Sequence, residues 1–380
     1  MRSLSRRQLL RQAAALPAGA VFTRLNAFAQ GQRKRVKITD IKAMRLNFGA
    51  GNCLIKIETD VGLVGYGEAG STGPMARARL ETMKGLLVGQ DPLSIERHFH
   101  VLTTLMHTYM AHIPTISGID IALWDLAGKI TGQPVSVLLG GPFRDAIPMY
   151  SHGIGLKMLD PSSCRDWAQR IKSMPEGFTA FKIGVDSVAG VPPARFAAPL
   201  DSSQVRNVGR AYMNVREAVG PDIDIAVHCH NEFDTPSAIA VAKAVEPMNP
   251  LFYEDPLHVP YSEGWMSVKR STRIPILTGE KLEMVAGFRP FLDHQAADII
   301  HPDLAFAGGF TGTKKIADYA ALTRTPLALH NVGTLVLTFA SAHFGAAIHH
   351  FYRSEARSDD RTGRSKAWRL RIRRKSGRAG

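Results

Sequence analysis

IDIAVHCHNEFDTPSAIAVAKAVEPMNPLFYEDP, residues 223–256, carries the pattern from which the fold is read. A short apolar run over 223–227 ends in the polar cluster His228-Cys229-His230. A stretch with amphipathic helical spacing follows, and a second apolar run, 251–253, ends in Glu254-Asp255. The same alternation extends in both directions. Further runs lie at 147–150, 181–185, 274–277, 299–300 and 327–329, and 346–348 supplies an eighth. Strands alternating with amphipathic helices imply a parallel sheet, and eight of them over about 200 residues predict a (β/α)₈-type barrel rather than an open sheet.

Polar residues recur where these runs end: His228, Glu254, Glu280, Asp303, His330 and Glu355, at steps of 26, 26, 23, 27 and 25 residues. Each step is one βα unit. In a barrel the carboxyl ends of the strands converge on one mouth, where active sites sit, so six ionisable groups are expected around a common cavity. A structural repeat would produce regular loops, but it would not require acids and histidines at each of them.

The residue types set the chemistry. His228 and His230 fall on one face of a strand and Cys229 on the other. As an isolated pair they would read as hydrogen-bonded core histidines; beside two acids on adjacent strands they read as metal ligand or proton shuttle. Glu254 and Glu280 emerge from apolar strands, where an unpaired carboxylate is costly. Two neighbouring ones repel, and a divalent cation relieves the repulsion; ion pairing with Lys281 or Lys182 is the structural alternative. Asp303 and His330 combine a carboxylate with an imidazole, which fixes the tautomer and raises basicity as a general base requires. Lys182 is a second base or a carboxylate anchor. His301 is expected to pack beneath Asp303.

Upstream the pattern changes. Residues 36–55 alternate like strand, and 55–60 against 61–68 reads as a hairpin with an Asp/Gly turn. Residues 74–105 carry helical periodicity, as do 117–130, where Ile119, Ala122, Leu123 and Leu126 share a face. A small α+β domain over 36–145 therefore precedes the barrel, 146–355.

The chain has 380 residues and a formal charge of +14. Residues 1–35 hold eight basic residues and no acid, and residues 356–380 hold ten basic residues and two acids, which leaves the body at −2. A nucleic-acid-binding domain needs a basic face, and this body offers none. Ser5-Arg6-Arg7-Gln8-Leu9-Leu10, a mildly apolar stretch and Ala27-Phe28-Ala29 read together as a twin-arginine-type signal peptide over 1–30, implying export of the folded protein to the periplasm. No other apolar run reaches the roughly 20 residues that span a bilayer. The three cysteines have no paired spacing for zinc or disulfides.

Seven stretches in combination carry a family resemblance: ETDVGLVGYGEAG (58–70), SGIDIALWDLAGKITGQPVSVLLGG (117–141), GFTAFKIG (177–184), LFYEDPL (251–257), IPILTGEKL (274–282), IIHPDLAFAGGFTGTKKIADYAAL (299–322) and LALHNVG (327–333). The chain resembles the enolase superfamily in its mandelate racemase/muconate lactonizing enzyme branch. Within it, His230 and the Asp303/His330 pair are most similar to the galactonate/mannonate dehydratase type. The resemblance implies an α+β capping domain on a modified (β/α)₇β TIM-type barrel. It also implies a magnesium-assisted lyase that removes the proton α to a carboxylate and dehydrates a sugar acid, and a homo-oligomeric assembly.

By position, Glu254 and Glu280 match metal ligands, Asp303 and His330 the base dyad, and His230 the acid that protonates the departing hydroxyl. Glu355 matches an acid that hydrogen-bonds the substrate carboxylate. Lys182 opposite His330 would instead suit a racemase, epimerase or cycloisomerase. A catalytically impaired carboxylate-binding homologue is a third reading, motivated by two departures. His228 stands where the family has an Asp ligand; imidazole suits Mn²⁺, Fe²⁺ or Zn²⁺ better than Mg²⁺, so a softer metal, weaker magnesium binding or recruitment of Glu232 is expected. From Arg357 onward the chain becomes RSDDRTGRSKAWRLRIRRKSGRAG, which reads as a disordered basic tail and as the mark of a shifted reading frame or truncation.

Overall fold

The computed structural model describes residues 36–45, 53–105, 111–188, 199–230 and 233–356. The signal-like segment, Glu232 and the basic tail from Arg357 lie outside the described residues.

The N-terminal domain is an antiparallel sheet of β1 (Ile38–Arg45), β2 (Cys53–Thr59) and β3 (Val64–Ala69), in that spatial order. Cys53, Ile55 and Ile57 alternate inward along β2, as a sheet with one covered face demands. The helix Ile113–Thr131 covers that face. Contact is close because glycines meet: a Cβ on Gly67 would lie 2.1 Å from the Gly118 carbonyl oxygen. The single helical stretch expected over 74–105 is broken. Gly73–Leu87 stops before Gly89, whose φ of 82° leaves the helical region, and Ile95–His100 resumes after Pro92 with a π-helical turn, Val101–Leu105.

The second domain is a closed, all-parallel barrel of eight strands: β4 (Met149–His152), β5 (Ala180–Gly184), β6 (Asp224–His228), β7 (Tyr253–Glu254), β8 (Ile276–Thr278), β9 (Ile299–Ile300), β10 (Leu327–Leu329) and β11 (Phe351–Glu355). Around the ring they run β4 to β11 in sequence order and close by β11 pairing with β4. Helices separate successive strands among the described residues, giving the (β/α)₇β form. One strand is corrected: 346–348 closes the helix Leu335–Ala347, and the eighth strand is Phe351–Glu355. The C-terminal half of that helix is apolar and buried nearly all round, so its end lacks the polar face that would mark it as helical.

Inside the barrel, Tyr150, Ala180, Ala226, Phe252, Leu277, Ile299 and Ala328 form one buried apolar layer. Side chains two residues further along a strand point the same way. The next inward layer is therefore His152, Lys182, His228, Glu254, His301 and His330, ionisable on six strands. An apolar plug beneath and a polar ring above define the floor of the mouth.

The N-terminal domain grips the loops that follow β9 and β10. Gly308 N donates to Ser117 Oγ at 3.0 Å, Thr311 N to Asp120 Oδ1 at 3.0 Å, and Trp124 Nε1 to Thr311 Oγ1 at 3.0 Å. Glu68 on β3 accepts from Thr334 N at 3.0 Å, Thr334 Oγ1 at 2.6 Å and Leu337 N at 3.2 Å, capping the N-terminus of helix Leu335–Ala347.

Candidate metal and proton-transfer site

The sequence-predicted residues converge at the mouth. His228 Nε2 lies 3.4 Å from Glu254 Oε1 and 3.8 Å from Glu280 Oε2. One ligand atom each from His228, Glu254, Asp255 and Glu280 lie within 4.8 Å of one another. His228, Glu254 and Asp255 are at most 4% exposed. Burial, helped by the Lys182 charge, holds the His228 imidazole well below its usual range, so it is neutral with a lone pair to offer. Among the described residues, His228 Nε2, Glu254 Oε2 and Asp255 Oδ2 have no hydrogen-bond partner. Buried polar atoms normally find one. Neutral imidazole and unsatisfied carboxylate oxygens gathered this closely are the donor set of a divalent cation, so the residues fit a metal.

Asp303 and His330 are paired, as expected. His330 Nδ1 donates to Asp303 Oδ2 at 2.7 Å, while Ala305 N donates to Asp303 Oδ1 at 2.7 Å. Asp303 is fully buried, and the bond to His330 fixes which ring nitrogen carries the proton. The other nitrogen, Nε2, points into the cluster, 3.2 Å from Glu280 Oε2. Burial depresses the His330 imidazole, but Glu355, Glu280 and Asp303 outweigh it and push its pKa up to about 10.

Lys182 Nζ lies 2.8 Å from Glu254 Oε1 and 3.0 Å from Glu355 Oε1. Burial opposes its charge, yet these acids and Glu280 more than compensate and keep its pKa above the ordinary lysine range. The ion-pair alternative weighed for Glu254 is thus present through Lys182, whereas Lys281 stands 4.0 Å from Glu280 and donates to the His230 carbonyl. Glu355 accepts from Tyr150 Oη at 3.1 Å and also pairs with His152 and Lys182. Burial raises its carboxyl, but Lys182, His330 and His152 carry it well below the usual range. In this state it is an acceptor that gathers donors, with no proton of its own to give a substrate carboxylate.

His228 and His230 face one another, ring centroids 3.6 Å apart. Their shared side does not come from strand alternation, because β6 ends at His228 and His230 turns back with φ 52°. Both line a cavity of about 330 Å³ with His152, Lys182 and Asp186. Around the ring β6 and β10 are four strands apart in either direction, so His230 and His330 enter the mouth from opposite sides.

Sequence reasoning missed three residues here. His152 sits at the end of a four-residue strand and Asp255 was read only as the companion of Glu254. His301, expected merely to pack, hydrogen-bonds the Tyr150 hydroxyl at 2.9 Å and meets the His330 ring edge-on at 5.5 Å. The rule of two residues beyond the plug finds His152 and His301.

Comparison with known proteins places the chain. The model of the mandelate racemase/muconate lactonizing enzyme N-terminal domain matches residues 41–140, and that of the enolase C-terminal domain-like family matches residues 165–375. A D-xylonate dehydratase of Haloferax volcanii is 34% identical over 323 residues, covering 84% of this chain and 78% of that protein. A D-gluconate dehydratase of Thermoproteus tenax is 30% identical over 309 residues, 80% of this chain and 60% of that protein. Among solved structures, a mandelate racemase/muconate lactonizing enzyme-like protein from Rubrobacter xylanophilus superposes with a TM-score of 0.79 at 30% identity, covering 87% of this chain and 88% of that one.

Proposed function

The chain belongs to the mandelate racemase/muconate lactonizing enzyme family of the enolase superfamily, and from that premise we propose that it is a metal-dependent sugar-acid dehydratase. The observation that carries the proposal is the Asp303–His330 pair at 2.7 Å, set across the mouth from His230. The relatives named for D-xylonate and D-gluconate support an aldonic acid as substrate.

The α-proton of a carboxylate is very weakly acidic, so its removal needs a positioned base and stabilised charge. His330 Nε2 takes that proton, since Nδ1 is committed to Asp303; a cation engaging Glu280 would offset the negative charge that keeps the imidazole protonated in the metal-free site and so free Nε2 to act as the base. A divalent ion held by His228, Glu254 and Glu280 supplies Lewis-acid stabilisation of the negative charge that develops on the carboxylate. His230, from the opposite strand, delivers a proton to the departing β-hydroxyl, and loss of water leaves an enol that tautomerises to a 2-keto-3-deoxy acid. Lys182 and His152, gathered on Glu355, place N–H donors at the rim of the cavity, where they orient the substrate. Lys182 is engaged by two carboxylates, an arrangement that favours anchoring over service as a second base.

His228 favours manganese or iron over magnesium in this reading. The twin-arginine-type segment supports export to the periplasm; fractionation with Arg6 and Arg7 changed to Lys should trap the protein in the cytoplasm, and unaltered export would refute the assignment. The reaction is tested by incubating D-xylonate, D-gluconate and other sugar acids with Mg²⁺, Mn²⁺, Fe²⁺ or Zn²⁺ and assaying keto acid. A 2-keto-3-deoxy product is expected with at least one pair, faster with Mn²⁺ than with Mg²⁺. Deuterium exchange at the α-carbon without water loss would instead give a racemase or epimerase. Substrate binding with no turnover under any metal would give a carboxylate-binding protein.

A further inference from the structure

The cluster at the mouth contains one acid more than its strand ends call for. Glu254 and Asp255 are consecutive, and consecutive residues on a strand point to opposite faces. Asp255 escapes that rule because its backbone is left-handed, φ 47°, a conformation that costs a non-glycine residue energy and persists only where the surroundings impose it. The result is that both carboxylates sit in the cluster with His228 and Glu280. Asp255 is 1% exposed. Its Oδ1 accepts from Thr278 Oγ1 at 2.6 Å, which orients the group, while Oδ2 has no hydrogen-bond partner among the described residues.

Charge gives the reason for a further ligand. His228 is a neutral donor, so with Glu254 and Glu280 alone a divalent ion would be balanced but its site would carry no net negative charge. We propose that Asp255 is a direct fourth ligand of the metal, supplying through Oδ2 the third carboxylate that His228 does not provide. The inference rests on the metal-dependent reading above and deepens it. A mixed set of one imidazole and three carboxylates suits Mn²⁺ or Fe²⁺, with Thr278 as the group that fixes the angle of the added ligand.

The test is Mn²⁺ binding by the full-length protein, read from the free-ion electron paramagnetic resonance signal, with no substrate present. Asp255→Asn should weaken binding at least tenfold and by more than Thr278→Val, which loses only the group that orients the ligand, while Glu232→Gln should stay within threefold. Equal affinity of Asp255→Asn and wild type would overturn the proposal, as would a loss confined to Glu232→Gln. If Asp255 acts only by bracing the loop through Thr278, then Thr278→Val will weaken binding as much as Asp255→Asn, and the proposal fails. Absence of stoichiometric Mn²⁺ on the wild type would overturn the metal-dependent reading as well, which separates the two failures. A measurement on wild type alone guards against a misfolded variant: protein labelled with ¹³C at aspartate side-chain carboxyls should show a directly coordinated ¹³C hyperfine coupling to Mn²⁺. Histidine and glutamate are the other ligands, so absence of that coupling contradicts Asp255 as a ligand.

Discussion

Asp303→Asn tests the base dyad through its tautomer. Asp303 receives two donors, Ala305 N on Oδ1 and His330 Nδ1 on Oδ2, each at 2.7 Å. An asparagine has one oxygen and one NH₂ to place on these two partners. The backbone N–H of Ala305 can only donate, so it claims the oxygen and the NH₂ faces His330 Nδ1. That nitrogen must then accept, and the ring proton moves to Nε2, the atom that has to be bare to take the α-proton. Volume and both hydrogen bonds survive, so stability should change by about 1 kcal/mol or less. In catalytic triads the same exchange of carboxylate for amide costs on the order of 10⁴ in rate. Here too the loss should be about 10³–10⁴-fold in kcat, roughly 4–5.5 kcal/mol of transition-state stabilisation. The assay is keto-acid formation at saturating substrate and Mn²⁺, with a thermal melt and Mn²⁺ titration as controls. A kcat within tenfold of wild type, with fold and metal binding intact, would refute the assignment of His330 as the base held by Asp303.

Two other expectations concern the joint between the domains. Glu68→Ala removes the carboxylate that accepts from Thr334 and Leu337, leaving helix N-terminal donors unsatisfied in a buried place; a loss of about 2–4 kcal/mol is expected by denaturant unfolding, with Glu68→Gln losing less. Burial, only partly offset by hydrogen bonds from Thr311 and Phe310, pushes Asp120 up to about 7. The folded protein therefore keeps a proton that the unfolded chain releases near pH 4, so this stabilisation is full below pH 4 and lost as pH rises to 7, roughly 4 kcal/mol over that window. Asp120→Asn should flatten the stability–pH profile between pH 4 and 7, and an unchanged slope would contradict the assignment.

The barrel was legible because its strands are short apolar runs whose inward residues alternate with period two. The apolar plug at Ala180, Ala226 and Ala328 is followed two residues later by Lys182, His228 and His330, and Phe252 likewise by Glu254. The spacing of ionisable strand ends therefore reported a real ring of side chains. What escaped was set by backbone geometry that residue type does not encode. Positive φ at Asp255 brings into the site a side chain that alternation would aim elsewhere, and His230 reaches the site through a turn with positive φ and not along the strand from which it was read. The last strand was misplaced because the C-terminal half of helix Leu335–Ala347 is apolar and buried nearly all round and offers no polar face to betray its period. Glu68 was read within a hairpin, and its grip on Thr334 is a contact across 266 residues that no local pattern announces.

The central claim is a division of labour: His330 removes the α-proton and His230 protonates the departing hydroxyl from the opposite strand. The most direct measurement is proton NMR of a sugar acid incubated in deuterated water with Mn²⁺ and the His230→Asn variant. The account predicts deuterium at the α-carbon of recovered substrate while keto-acid formation falls at least a hundredfold, because abstraction persists without the acid that completes elimination. Undiminished dehydration by this variant, or loss of α-exchange together with dehydration, would contradict it.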